Sequence, residues 1–509
     1  MNQDSSKLSR RDFLRTAAIA GGTLAAAGML SGCTDSVVTQ LPEKWDEEVD
    51  VVVVGGGGAG CAAAYGAANA GAKVIVLQSQ LTSANSSTAI CGGFIMFADT
   101  QEQRDAGITD TAAQMAQDII DWGETSVPEV VQTFADQNLV YYDLIKSLGV
   151  PFQPNVSASP GSTIPRSLTV NPAEHQKIIE QAAKDKGAVF KYETTGQKLI
   201  VNPAGEVVGT TAVNSNGSTL YLKANKAVIM ASGGFTHNFD MLEECVPGLG
   251  AVQALSGPGH TGEGHKAIFQ LGGSFSGRPW IYSVQGMYPG ATTMAGYAEL
   301  FLYGAIQVNL DGERYIAEDL YWCNEMTAST LQQPLVDGIP VLYEVIDQTA
   351  YDLAVTAGPP IGLGETTIEM LVSAPTIEEL GTKINAPKLA ETVHRYNADI
   401  DAVGYDQQFG RKTMVGTGTP VVTKIEKGPF YAFANTAWLA YDPATSFKIN
   451  KDCYAVDQYD QPIPRLFLVG EVSLRSIVGN HYQYGLATGA GGVLGLYAGG
   501  LAAGLGAWK

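Results

Sequence analysis

Apolar residues run unbroken through Val51-Val52-Val53-Val54, give way to Gly55-Gly56-Gly57-Gly58-Ala59-Gly60, and return at Lys73-Val74-Ile75-Val76-Leu77. A short apolar run that does not alternate with polar residues predicts a strand buried on both faces, as in a parallel sheet. Between the two runs, the small residues from Cys61 to Ala70 predict a helix closed at Gly71. Strand, helix and strand make one βαβ unit. The pattern recurs downstream. Lys198-Leu199-Ile200-Val201, a turn at Pro203-Ala204-Gly205, and Glu206-Val207-Val208 predict a hairpin. Ala227-Val228-Ile229-Met230 predicts a further buried strand running into glycine, Thr261-Gly262-Glu263-Gly264 opens a helix at His265, and Leu466-Phe467-Leu468-Val469 predicts a strand ending at Gly470-Glu471.

The first glycine cluster carries chemistry. It places G-x-G-x-x-G between a strand and a helix, where Gly55 permits the tight turn, Gly57 the approach of a pyrophosphate, and Gly60 close helix packing. The helix N-terminus then offers free N–H groups to the phosphates. The loop Asn85-Ser86-Ser87-Thr88-Ala89-Ile90-Cys91-Gly92-Gly93 mixes small and hydrogen-bonding side chains that suit a phosphate or a flavin edge.

The N-terminal segment predicts location. Ser9-Arg10-Arg11-Asp12-Phe13-Leu14-Arg15 precedes an apolar run, Ala17 to Leu30, too short to span a bilayer comfortably. The arginine pair reads as a twin-arginine export address, and Leu30-Ser31-Gly32-Cys33 as a lipoprotein box whose cysteine is acylated. Residues 1–33 are thus a signal and 34–44 a tether, which puts the mature protein at the outer face of the cytoplasmic membrane or in the cell envelope, held by lipid on Cys33 alone. No mature segment is expected to reach membrane-spanning length.

Charged residues make up only 16% of the chain, so much of it must be buried. The net charge of −20 excludes the basic surface that nucleic acid requires. The six cysteines (33, 61, 91, 245, 323 and 453) contain no C-x-x-C pair, which argues for buried thiols and against a c-type haem or clustered iron–sulfur site, and no metal site is expected.

Taken together, Gly55-x-Gly57-x-Ala59-Gly60, Asn85-Ser86, Ala231-Ser232-Gly233-Gly234-Phe235, Thr261-Gly262-Glu263-Gly264, Val308-Asn309-x-x-Gly312-x-Arg314-Tyr315, Pro429-Phe430-Tyr431-Ala432 and Val469-Gly470-Glu471 resemble the flavoprotein family that includes soluble fumarate reductases, urocanate reductase and 3-ketosteroid dehydrogenases. The resemblance runs from about Val49 to Ala503. It implies an α/β fold: a Rossmann-like FAD-binding domain split over 45–271 and 418–509, an α+β capping domain inserted at 272–417, and an active site in the crevice between them. The implied FAD set is Gly55, Gly57, Gly58, Ala59, Gly60, Gln78, Ser79, Asn85, Ser86, Ala89, Gly92, Gly93, Lys198, Ala231, Ser232, Gly233, Asn238, Glu263, Gly470, Glu471, Gly485 and Ala487, with Lys198 near the adenine and Glu471 near the ribityl chain. Family members usually carry glutamate where Gln78 stands. Its amide can accept one ribose hydroxyl and donate to another.

The catalytic region departs further. In fumarate reductases an arginine eight residues beyond the one matched by Arg314 delivers a proton; here that count reaches Trp322. No histidine lies between His265 and His394, and the loop Gly479-Asn480-His481-Tyr482-Gln483-Tyr484-Gly485 lacks the arginine those enzymes place there. Fumarate is therefore not the expected substrate. Aromatic residues stand in these positions, as in the ketosteroid dehydrogenases and enone reductases. The expectation is Tyr321 as proton donor, Tyr484 or Tyr482 as carbonyl anchor, and His481 as either a participant or a solvated bystander. Trp322 and Tyr303 would contact substrate, and Arg475 would meet a substrate carboxylate or lie at the surface. Tyr282, Met287, Tyr288, Met294, Tyr297, Phe301 and Tyr303 would line an apolar pocket or form the cap's own core.

Reduction of a conjugated double bond requires hydride from flavin N5, a proton at the α-carbon and stabilisation of the enolate oxygen. A phenol protonated at neutral pH serves the last two. The chain shows no second nucleotide fingerprint, which implies a separate donor such as a membrane cytochrome, a quinol-linked carrier or a flavin carrier, and a role as respiratory terminal reductase. Two alternatives share these motifs: a dehydrogenase that desaturates a ketosteroid, and a non-catalytic FAD-binding lipoprotein or electron carrier.

Overall fold

The computed structural model describes residues 40–159, 161–245, 253–254, 256–277, 283–291, 294–319, 324–359, 361–414, 422–439 and 446–509. The export segment, Cys33, Tyr282, Tyr321, Trp322 and Cys323 lie outside them.

The predicted βαβ unit forms as strand β1 (Glu47–Val54), helix α1 (Gly58–Asn69) and strand β2 (Val74–Leu77). Strand β3 (Thr219–Met230) and strand β4 (Pro462–Leu468) follow, and the last helix is α2 (Leu486–Gly504). β1 lies parallel to both β2 and β3, with Val51 opposite Val74 and Ala227, and β4 runs parallel to β3 with Leu466 opposite Val228. The eight-stranded sheet thus draws its centre from both ends of the chain. Val51, Val52 and Val53 are fully buried, as a strand covered on both faces requires. The predicted hairpin is Thr194–Val201 with Val207–Asn214, closed by Val201 opposite Val207.

Helix α2 departs from expectation. Its length and apolar composition would let it cross a membrane, yet two thirds of its apolar window is buried inside the protein. The reason is a close glycine contact with α1. A Cβ on Gly495 would lie 2.4 Å from the Ala59 carbonyl oxygen, one on Gly499 2.1 Å from that of Ala63, and one on Gly66 of α1 2.4 Å from that of Leu496. Bare backbone on both helices lets them touch, and each shields the other's apolar face.

A second sheet is built on Phe430–Leu439, which pairs with Gln253–Ala254, Ser283–Met287, Leu342–Ile346 and Val372–Ala374, while Ile306–Val308 pairs with Leu342–Ile346. Ile306, Val308, Val345, Tyr396 and Ala432 give it a separate core. Its strands therefore extend beyond the expected 272–417 at both ends. Phe430–Leu439 makes antiparallel ladder bonds to Leu342–Ile346, which places it here and not in the nucleotide-binding half. Cys61, Cys91 and Cys453 are free thiols.

Candidate active site

A cavity opens at the carboxyl ends of β1, β2 and β3, lined there by Val54, Leu77 and Ala231. This is where ligands lie in open parallel sheets. Gly57 caps α1 without a side-chain bond to the helix's first amides, and only the Gly58 N–H is taken, by Thr88 Oγ1 at 3.1 Å. The helix N-terminus thus faces the cavity with donors available to an anion.

Of the cofactor residues expected from sequence, Gly55, Gly57, Gly58, Ala59, Gln78, Ser79, Asn85, Ser86, Ala231, Ser232, Gly233, Glu263, Gly470, Glu471 and Ala487 line this cavity. The others stand behind it. A Cβ on Gly60 would lie 1.9 Å from the Gly55 carbonyl oxygen and one on Gly93 2.3 Å from that of Val170, so both are packing glycines. A Cβ on Gly92 would only touch the Phe94 ring at 3.9 Å, Gly485 packs on Ile95, and the Ala89 N–H is capped by Ser86. Asn238 donates to the Thr261 carbonyl at 2.9 Å and so braces the loop that carries Glu263. Lys198 sits two residues past Gly196, and the wall is made by Thr194, Thr195 and Gly196. A strand edge near a ligand presents backbone, and glycine at 196 leaves the room.

The wall also includes Ser87 and Cys91 of the expected loop, and His260, Tyr141, His175, Leu474 and Thr488, which the sequence did not single out. His260 Nε2 is 3.0 Å from Ser87 Oγ, and its Nδ1 is 3.6 Å from Glu471 Oε2. Burial pushes this imidazole down to about 3, so it is neutral at working pH and its contact with Glu471 is not an ion pair. The Ser232 hydroxyl is buried on this wall with no protein partner. A glycine cradle, an uncapped helix and an orphaned hydroxyl fit a dinucleotide cofactor. Gln78 is buried, with its amide 3.5 Å from the Thr82 carbonyl oxygen.

Tyr484 precedes the α2 N-cap, and Ala487 and Thr488 in the first turn of α2 reach the cavity wall. Its ring stacks on Phe94 at 5.1 Å, its N–H donates to Ser159 Oγ at 2.7 Å, and its hydroxyl donates to Glu299 Oε2 at 3.1 Å. Tyr297 bonds to the other oxygen of Glu299. Glu299 is 1% exposed. Burial, reinforced by Glu344, holds its pKa well above the ordinary carboxyl range. Burial and the neighbouring Glu299 likewise raise the Tyr484 and Tyr303 phenols. Sequence reading passed over Glu299; the available signal was a lone carboxylate within the aromatic run Tyr297-Ala298-Glu299-Leu300-Phe301.

The other expected residues sort differently. Ala487 N–H donates to the Tyr482 hydroxyl at 3.4 Å, so this tyrosine secures the start of α2. His481 is no solvated bystander: its Nδ1 is 2.7 Å from the Trp122 carbonyl oxygen and its ring lies 5.1 Å from that of Trp122. Arg475 is 3% exposed, which removes the surface alternative. Met287, Tyr297, Phe301 and Tyr303 belong to a buried core, and Tyr288 and Met294 pack against it. Among the described residues, no group of His, Cys, Asp and Glu could hold a metal ion.

A parallel sheet with a phosphate cradle at its carboxyl edge, beside a buried carboxyl of raised pKa and phenols, defines a flavin-nucleotide oxidoreductase. The chain belongs to the FAD binding domain family, which its residues 50–488 match. It is 28% identical to urocanate reductase of Eggerthella lenta over 89% of this chain and 77% of the relative, and 24% identical to digoxin reductase of the same organism over 93% of each. Its fold matches an open flavocytochrome c3 fumarate reductase with a TM-score of 0.74 at 23% identity, covering 98% of this chain and 82% of that one. It also matches the 3-ketosteroid-Δ4-(5α)-dehydrogenase of Rhodococcus jostii with a TM-score of 0.71 at 23% identity, covering 92% and 100%. The cofactor is FAD, and the enzyme is an FAD-dependent oxidoreductase acting on carbon–carbon double bonds.

Proposed function

We propose that this enzyme reduces the conjugated double bond of an apolar or aromatic enone or enoate other than fumarate, with Tyr484 and Glu299 supplying the proton. The observation that carries the reading is the Tyr484–Glu299 hydrogen bond, which joins the start of the last helix to the segment leading into the second sheet. FAD, held by the glycine cradle, supplies the hydride. Tyr484 binds the carbonyl oxygen and takes charge from it as the enolate forms. When Glu299 is protonated the bond can run the other way, from carboxyl to phenol oxygen, so that a proton lost by Tyr484 is replaced from Glu299. Desaturation would instead need one of these groups as a base. Burial raises both pKa values and so favours the reductive direction.

The proposal includes export by the twin-arginine route on Arg10-Arg11, a lipid anchor at Cys33, and a separate electron donor in or on the membrane, which would make the protein a respiratory terminal reductase. These rest on the N-terminal sequence and on the single nucleotide fingerprint.

The test is anaerobic. Dithionite-reduced holoenzyme is mixed singly with cinnamates, urocanate, enone steroids and fumarate while the flavin absorbance is followed. Rapid reoxidation by an enone or enoate, and not by fumarate, is expected. Reoxidation by fumarate alone, or by none of them, overturns the reading.

A further inference from the structure

Three segments from distant parts of the chain meet on the wall of the flavin cavity. Ser87 comes from the loop beyond β2, His260 from the turn before the helix Glu263–Gln270, and Glu471 from just past β4. The Gly257 N–H donates to Ser87 Oγ at 2.9 Å, and a Cβ on Gly257 would lie 2.7 Å from the Asn85 carbonyl oxygen, so the turn sits directly against the first loop. The His260 backbone is held on both sides. Its N–H donates to the Gly257 carbonyl at 3.1 Å, and its carbonyl accepts the His237 N–H at 3.0 Å. Its ring is confined as well, because a Cβ on Gly233 would fall 2.4 Å from Nε2.

Held in this slot, the imidazole reaches two neighbours. Nε2 is 3.0 Å from Ser87 Oγ, while Nδ1 faces Glu471 Oε2 at 3.6 Å and makes no hydrogen bond elsewhere. A neutral imidazole carries its single proton on one nitrogen, and a carboxylate offers only lone pairs. The proton therefore belongs on Nδ1, where its dipole is attracted to Glu471, and Nε2 is left to accept from the Ser87 hydroxyl. Ser87 is free to donate, since the Gly257 N–H occupies only a lone pair of its oxygen. This order of serine, imidazole and carboxylate is that of a nucleophilic triad. Burial holds His260 at about 3, which makes it too weak a base to draw the serine proton, so the arrangement is a strut and not a nucleophile.

We propose that His260 is a positioning residue for FAD: it accepts from Ser87, presents Nδ1–H to Glu471, and so ties the three segments together and holds the Glu471 carboxylate at the cavity wall for the cofactor. The 3.6 Å separation makes the second contact an attraction between an N–H dipole and a charge, weaker than a full hydrogen bond.

His260→Leu removes both contacts, whereas His260→Gln can still accept from Ser87 and donate to Glu471. The FAD Kd, read from flavin fluorescence on dilution of holoenzyme, should rise about tenfold in the first variant and less than about threefold in the second. On a Glu471→Ala background, His260→Leu should add less than about threefold, because the group it positions is gone. Equal losses in the two His260 variants, or a full second loss on that background, overturn the proposal. A further measurement does not depend on affinity: nitrogen NMR of histidine-labelled, oxidised wild-type holoenzyme at pH 7. The His260 signals should show a protonated Nδ1 and a bare Nε2. A proton on Nε2, alone or together with one on Nδ1, overturns the inference.

Discussion

Tyr484 and Glu299 meet at 3.1 Å although far apart in sequence, the phenol at the start of the last helix and the carboxyl in the segment leading into the second sheet. Any movement of one against the other would make or break this bond.

Tyr484→Phe should lower kcat by about 10²–10⁴-fold, the usual worth of a positioned acid, with unchanged FAD content. Steady-state rates with reduced viologen, beside the flavin absorbance of the purified variant, measure both. A loss below tenfold would remove Tyr484 from the chemistry.

Glu344 sets a stability dependence. Its folded pKa of about 7 stands above its unfolded value, so the folded state holds the extra proton. The stabilisation is full below the ordinary carboxyl range and is lost as pH rises through 7, to a total of about 3 kcal/mol. Glu344→Gln should therefore be nearly neutral at pH 5 and stabilising at pH 8.5. Urea midpoints of holoenzyme at the two pH values give the comparison, and a gain at pH 5 equal to that at pH 8.5 would contradict it.

Gln78→Glu should tighten FAD. A carboxylate at this cavity position accepts from two hydroxyls, and charged acceptors are worth about 1 kcal/mol more per bond than neutral ones. Fluorescence titration of apoprotein should show a Kd lower by roughly fivefold for one such bond and by about thirtyfold for both. Weaker binding would mean that the amide's contact with the Thr82 carbonyl matters more than the ribose.

Gly499→Ala should destabilise by about 1–3 kcal/mol, because its Cβ falls 2.1 Å from the Ala63 carbonyl oxygen and backbone must shift. Gly500→Ala, with open space at the neighbouring position, is the control and should cost nothing. Thermal unfolding of the two holoproteins separates them.

The nucleotide-binding half was legible because its signals are local. A valine run beside glycines dictates strand and turn, and the tight contacts of Gly55 and Gly60 explain why no other residue would serve. The second sheet was not legible at its limits. Phe430–Leu439 alternates like many strands, and its membership depends on partners about ninety residues away in Leu342–Ile346. Glu299 escaped for a similar reason: its chemistry comes from burial beside Glu344 and from a phenol nearly two hundred residues downstream, neither of which its neighbours in sequence reveal. Lys198 lies on the strand whose Thr194 to Gly196 make the wall, a placement that the hairpin pattern carries only to the level of the strand.

Helix α2 supplies Ala487, Thr488 and Gly491 to the same cavity that Gly55 to Ala59 enclose from the other end of the sequence. Closure of the flavin site therefore waits on this helix: a nascent chain lacks Ala487, Thr488 and Gly491 from the cavity wall until α2 has left the ribosome. Until then that helix is the most lipid-like stretch among the described residues, and docking onto α1 both hides it and completes the holoenzyme. Premature termination anywhere before residue 486 should leave a colourless, adhesive polypeptide rather than a weakened enzyme.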